Sequence, residues 1–191
     1  MALTKPAMLA SAVSAVPSGS DLLHRCVAGD AAAWRGLHQR YHGNAISVLR
    51  RLGVPVNQLE DACQDVFVDV FQYLPRFRGE ADFRTWLYRI CVSRARVARR
   101  RAKLWALFSA LAPEHREELG GEPLEDGRAS RQLAKALLQL TEAERVVFVL
   151  FELEGLCGKD IAQIIERPEA TVFRRLHDAR KRFTFAIEEN A

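Results

Sequence analysis

From residue 21 to residue 111 apolar positions return every three or four residues, and no alternating run of β-branched residues is long enough to argue for a strand. Helices are therefore expected near 21–28, 31–52, 57–74 and 83–106, separated by Gly29-Asp30, by Gly53-Val54-Pro55 and by the stretch from Pro75 to Gly79. A different composition follows. Pro113, Gly120, Gly121, Pro123 and Gly127 come together with Glu114, Glu117, Glu118, Glu122, Glu125 and Asp126. Helix breakers and like charges in that density bury little surface, so a mobile linker is expected there. Helical patterning resumes near Arg131 with Leu133, Leu137, Leu138 and Leu140. Thr141 and Glu144 then have the spacing of a capping box, and a helix from about Glu142 to Gly155 is expected behind it.

The fold class expected from this pattern is all-α, with two small helical domains joined by a flexible acidic linker. The boundaries are 1–20 for a disordered N-terminal extension, 21–108 and 131–191 for the two domains, and 109–130 for the linker. Ala7 to Val16 is weakly apolar, but Lys5 is the only charge and Pro6 interrupts, so no secretory leader is expected. Apolar runs such as Val146 to Phe151 fall well short of the roughly 20 residues that a membrane helix requires.

Charge changes the picture at two places. The first is Ile161 to Arg182, where an apolar-patterned segment, a break at Glu166-Arg167-Pro168-Glu169 and a basic segment follow one another, as in a helix-turn-helix. Arg174, Arg175, Arg180, Lys181 and Arg182 face a single acid, Asp178, while Val172, Leu176, Ala179 and Phe183 form an apolar stripe for packing. Such a surface attracts phosphate, although a solvated basic helix would carry the same residues. The second place is Arg89 to Lys103, which holds Arg89, Arg94, Arg96, Arg99, Arg100, Arg101 and Lys103 and no acid. Phe77, Arg78, Phe83, Thr85, Trp86 and Tyr88 lie just upstream, and aromatic faces beside positive charge are the components of a site that stacks unpaired bases. Trp86, beside Leu87 and Ile90, is expected in the core instead. The net charge of +4 comes from these clusters.

One row has the opposite sign. Asp61, Asp65 and Asp69 recur every four residues beside Gln64 and Gln72, with Ala62, Val66, Phe67, Val70 and Phe71 turned away. That row suits a protein partner carrying arginines or, equally, a solvated face.

Enzymatic and metal chemistry find no support. His38 and His42 have metal-ligand spacing without a HExxH pattern or a third ligand, and Gly155 to Lys159 lacks the GxxxxGK[ST] arrangement of a phosphate cradle. No nucleophile elbow surrounds any serine. No cofactor, metal or small-molecule substrate is expected. Cys26, Cys63, Cys91 and Cys157 form no CxxC pair and are expected to be buried, reduced thiols.

Together these residues resemble the sigma-70 family of bacterial transcription initiation factors, in particular the short extracytoplasmic-function group that keeps only regions 2 and 4. The resemblance covers roughly Asp21 to Phe185. Asp61-Ala-Cys-Gln-Asp-Val-Phe67 looks like the region 2.2 helix that docks on core RNA polymerase. Arg76-Phe-Arg-Gly-Glu-Ala-Asp-Phe-Arg-Thr-Trp-Leu-Tyr-Arg-Ile90 is similar to the segment that reads the minus 10 element. Leu140-Thr-Glu-Ala-Glu-Arg145, Asp160-Ile-Ala162, Thr171-Val172, Arg175-Leu176-His177 and Ala179-Arg180 look like region 4. The resemblance departs at Ala170, where the family usually has Gly, and at Phe173 and Arg174, where it is commonly basic and small.

The resemblance implies a set of roles. Asp61, Gln64, Asp65, Phe67 and Asp69 would meet the polymerase, whose β′ clamp helices and β subunit are the implied partners. Phe77, Arg78, Arg84, Thr85, Ser93, Arg94 and Arg96 would take up the melted minus 10 strand. Thr171, Phe173, Arg174, Arg175, His177, Lys181 and Arg182 would read the minus 35 duplex. An anti-sigma factor anchored in the inner membrane, releasing this cytoplasmic protein under envelope or metal stress, is the implied regulator. A stand-alone helix-turn-helix regulator would share the basic helix but leaves the acidic row and the Phe77 to Tyr88 stretch without a use, as does a single-strand-binding module that needs no helix-turn-helix.

Overall fold

The computed structural model describes residues 19–79, 81–111 and 128–189. Every element among them is helical: α1 (Gly19–Val27), α2 (Ala31–Arg51), α3 (Leu59–Tyr73), α4 (Phe83–Leu111), α5 (Arg128–Gln139), α6 (Glu142–Phe148), α7 (Gly158–Ile165) and α8 (Glu169–Glu189). No helix among the described residues is long and apolar enough to cross a membrane. The N-terminal extension and most of the acidic linker expected from the sequence lie outside the described residues.

The chain divides into two compact units, residues 1–37 and 38–191. In the first, Asp30 starts α2: its Oδ1 accepts from the Ala32 and Ala33 N–H groups at 2.8 and 3.1 Å, supplying partners for two otherwise orphaned donors. Arg25 at the end of α1 clamps the same carboxylate from the other side at 2.6 Å. Leu22, Cys26, Ala33 and Leu37 are buried.

The second unit holds the remainder of the first sequence block and the second block. Short 3₁₀ turns at Val56–Gln58 and Leu74–Arg76 bracket α3, each beside a proline that denies the chain one backbone donor. The apolar stripes Leu59, Ala62, Cys63, Val66 and Val70 of α3 and Leu87, Cys91, Val92 and Ala95 of α4 are buried, and these two helices pack on each other. Full burial of each large aliphatic side chain contributes about 1.5–3 kcal/mol. Helix α4 continues to Leu111, beyond the 106 expected, because the first helix breaker after it is Pro113.

Beyond the acidic segment, α5, α6 and α7 all pack against α8. The capping box is present: Thr141 Oγ1 accepts from the Glu144 N–H at 3.4 Å and a Glu144 carboxylate oxygen from the Thr141 N–H at 3.0 Å. The helix expected over 142–155 gives way after Phe148 to a π turn at Val149–Leu153, closed by the Glu154 N–H on the Val149 carbonyl at 3.0 Å. The four cysteines divide. Cys26, Cys63 and Cys91 are buried as expected, but Cys157 is exposed, since it precedes α7 in the loop after the π turn, where its Sγ meets an Asp160 carboxylate oxygen at 3.2 Å.

Candidate nucleic-acid and protein interfaces

The turn between α7 and α8 is built on Glu166, whose φ of 54° and ψ of 49° place a residue with a side chain in the left-handed region. The Arg167 N–H reaches back to the Ala162 carbonyl at 3.1 Å, and Pro168 starts α8 by accepting from the Thr171 N–H at 2.9 Å. Val172, Leu176, Ala179 and Ala186 are buried, so α8 turns Phe173, Arg174, His177, Lys181 and Arg182 outward. Arg175 and Thr171 are half-buried. Phe173 also belongs to the seam between the helices: a Cβ on Gly158 would stand 2.7 Å from its ring, so glycine is what lets α7 approach α8 there. Arg182 lies 3.5 Å from the Glu144 carboxylate and Arg180 pairs with Glu152 at 2.6 Å.

At the start of α4 the Asp82 carboxylate caps the Arg84 N–H at 2.7 Å. Phe77, Phe83 and Trp86 form one aromatic cluster, with ring centroids 5.2 Å apart for Phe77–Trp86, 5.6 Å for Phe83–Trp86 and 6.0 Å for Phe77–Phe83. Phe83 and Tyr88 are core residues, whereas Phe77 and Trp86 are half-buried and keep part of their surface outward. Arg78, Arg84, Ser93 and Arg96 are exposed. Thr85, expected at this face, is only 6% exposed, because it stands one turn before Tyr88 and two before Val92 on a buried side of α4.

Asp61 and Gln64 are exposed on α3, but the acidic row is not uniform. Asp69 is engaged: Arg94 donates from Nε to Asp69 Oδ2 at 2.5 Å and from Nη2 to Oδ1, a fork-on-fork ion pair, while Asp65 stands 3.6 Å from Arg94 Nη1. The Asp69 carboxylate raises the Arg94 pKa. Two residues expected at different partners thus hold each other. Beside the row, Gln64, Phe67, Val68, Phe71 and Gln72 line a groove with His38 and His42. The Phe67 ring is tilted against His38 with centroids 4.4 Å apart, and Phe71 is 61% exposed. Apolar and aromatic surface edged by polar side chains and by the Glu60 carboxylate is the composition of a protein interface rather than of a DNA-binding face.

Sequence reasoning did not find two features of the second unit. Arg145 is 4% exposed, and its guanidinium donates to the carbonyls of Leu137 at 2.7 Å, Leu140 at 3.0 Å, Leu138 at 3.1 Å and Leu52 at 3.5 Å. Burial, and behind it the Arg99 charge, lower its pKa to about 10, so it remains protonated at neutral pH. The carbonyls of two helix ends, which carry partial negative charge, hold a buried cation in place. The other feature is a set of carboxylates, at the start of α6, after the π turn and after α7, set against α2 and α4. Glu154 accepts from Arg51 Nη1 at 2.5 Å and from the Tyr88 hydroxyl at 2.7 Å, Glu166 pairs with Arg89, and Glu142 lies 3.3 and 3.4 Å from Arg96 and Arg99.

The chain is similar to known proteins in sequence and in fold. The family model described as "Sigma-70 region 2" matches residues 37–104, and the one described as "Sigma-70, region 4" matches residues 130–183. The chain is 33% identical over 171 residues to the ECF RNA polymerase sigma-E factor of Escherichia coli strain K12, covering 84% of this chain and 89% of that protein. It is 29% identical over 181 residues to the RNA polymerase sigma-H factor of Pseudomonas aeruginosa, covering 88% of this chain and 93% of that one. Two solved structures share the fold: CnrH in complex with the cytosolic domain of CnrY, with a TM-score of 0.67 at 22% identity over 90% of this chain and 97% of that one, and the sigma factor RpoE in complex with the anti-sigma factor NepR from Bartonella quintana, with a TM-score of 0.66 at 19% identity over 81% and 96%.

Proposed function

Because this chain belongs to the sigma-70 family, in its extracytoplasmic-function branch, we propose that it docks on core RNA polymerase through α3, captures a melted minus 10 strand beside the start of α4 and grips the minus 35 duplex with α8. The chain is a transcription initiation factor and not an enzyme. The observation that carries the division of labour is α8 itself, which buries Val172, Leu176 and Ala179 and leaves Arg174, His177 and Lys181 outward behind a tight turn. A helix so presented fits a major groove and brings positive charge to the phosphates flanking it. The half-buried Phe77 and Trp86, with Arg78 and Arg84 outward, support base stacking. Asp61, Gln64 and the Phe67–Phe71 groove support a protein contact.

The reading extends to regulation. RpoE, of the same fold, is held by the anti-sigma factor NepR, which supports an anti-sigma factor for this chain as well. Anchored at the inner membrane and released by envelope or metal stress, such a partner would keep this cytoplasmic protein from polymerase by mass action. The test is direct: the purified protein should co-elute with bacterial core polymerase and yield a run-off transcript from a cognate promoter. Folded protein that ignores core polymerase and shifts duplex DNA alone would overturn the proposal in favour of a stand-alone regulator.

A further inference from the structure

We infer that the carboxylates Glu142, Glu154 and Glu166 form an acidic mask over the basic stripe of α4, closing the free protein against single-stranded DNA. The inference rests on the minus 10 role proposed above for α4. Tyr88, Arg89, Arg96 and Arg99 recur at helical spacing, so they share one side of α4, and Arg51 at the end of α2 joins them. Each of these five groups is met by one of three carboxylates that come from beyond the acidic segment. Glu142 lies in the first turn of α6, Glu154 closes the π turn and Glu166 is the left-handed residue after α7.

The pairing is selective rather than incidental. A chain of net charge +4 offers many cations, yet these three carboxylates lie against cations on one face and not against α8, whose Arg180 and Arg182 are met by Glu152 and Glu144. The Glu154 carboxylate is 10% exposed, and a buried charge of that kind persists only when it is paired and hydrogen-bonded, as it is by Arg51 and Tyr88. Arg145, reaching Leu52 at the end of α2, adds a fixed point, and α7 packs on α4. Carboxylate oxygens paired with Arg89, Arg96 and Arg99 stand where phosphate oxygens would otherwise bind. A strand can use the stripe only after the carboxylates leave it.

The test uses the full-length protein with Glu142→Gln, Glu154→Gln and Glu166→Gln together, and a fluorescent thymidine oligomer as a sequence-neutral probe. The triple variant should show a larger radius of gyration by small-angle scattering and bind the oligomer roughly tenfold more tightly, the gain that a few recovered phosphate contacts bring at moderate salt. A control with Glu60→Gln, Glu169→Gln and Glu188→Gln raises the net charge equally, away from the stripe. An equal gain in that control, or wild-type size and affinity in the triple variant, overturns the mask. Should replacing Glu154 prevent folding, Glu142→Gln with Glu166→Gln must move affinity in the same direction. Core polymerase separates the two claims: variants that still form an active holoenzyme but fail these criteria refute the mask alone, whereas absence of core binding by the wild type refutes the proposed function.

Discussion

The buried guanidinium of Arg145 lies directly against Gly53: a Cβ on that glycine would stand 2.4 Å from Nη1. Gly53 also has a φ of +83°, a conformation that costs a residue with a side chain about 1–3 kcal/mol. Gly53→Ala should therefore lower the free energy of unfolding in urea by at least an amount in that range, since the guanidinium is tied to four carbonyls and has nowhere to retreat. An unchanged value would contradict both the strained backbone at Gly53 and its close contact with Arg145.

Asp61 and Asp69 stand on one helix, two turns apart, yet their replacements should differ in kind. Asp69→Asn breaks the fork with Arg94 and should cost about 1–2 kcal/mol of stability, because both partners are largely buried. Asp61→Arg should leave the unfolding midpoint nearly unchanged, since Asp61 is exposed, and should abolish co-elution with core polymerase. Retained co-elution would remove the role given to this row.

Those two carboxylates also show where sequence reading runs out. Spacing placed Asp61, Asp65 and Asp69 on one face correctly, and the capping box at Thr141 and the turn at Glu166 to Glu169 were equally legible, because each is a local pattern within a few residues. What spacing could not say is which acid of a row meets a cation from another helix. Arg94 is 25 residues from Asp69, and Arg51 is 103 residues from Glu154. Pairs of that kind depend on how helices pack, and they leave no periodic trace. Arg145 was invisible for the same reason: an arginine after a capping box reads as a solvated first-turn residue until the carbonyls around it are seen.

Stability should fall at alkaline pH. Burial, followed by the adjacent Glu154 carboxylate, raises the Tyr88 hydroxyl from an ordinary value near 10 to about 12. Burial, followed by Glu60, raises the Cys63 thiol from 9 to about 12. Both folded-state values lie above the unfolded ones, so the neutral groups contribute fully below pH 9 and the contribution is lost as pH rises toward 12. Unfolding midpoints measured from pH 8 to 11 should decline, and Tyr88→Phe should flatten the upper part of the curve. A wild-type curve that is level through pH 11 would contradict the burial assigned to both groups.

Arg174 and Lys181 are both outward on α8, but one is in its second turn and the other two turns further on. The first turns of a recognition helix meet base edges, and later positions meet the backbone. Arg174→Ala should therefore weaken holoenzyme function by about 1–3 kcal/mol on promoters carrying one base pair within the minus 35 element and relax the preference at that position. Lys181→Ala should weaken all promoters alike and reduce the dependence on salt by about one ion. Run-off transcription from a panel of minus 35 variants at several salt concentrations distinguishes the two. If Arg174→Ala costs the same on every promoter, its contact is with phosphate, and the base reading on α8 must come from Phe173, His177 or the half-buried Arg175.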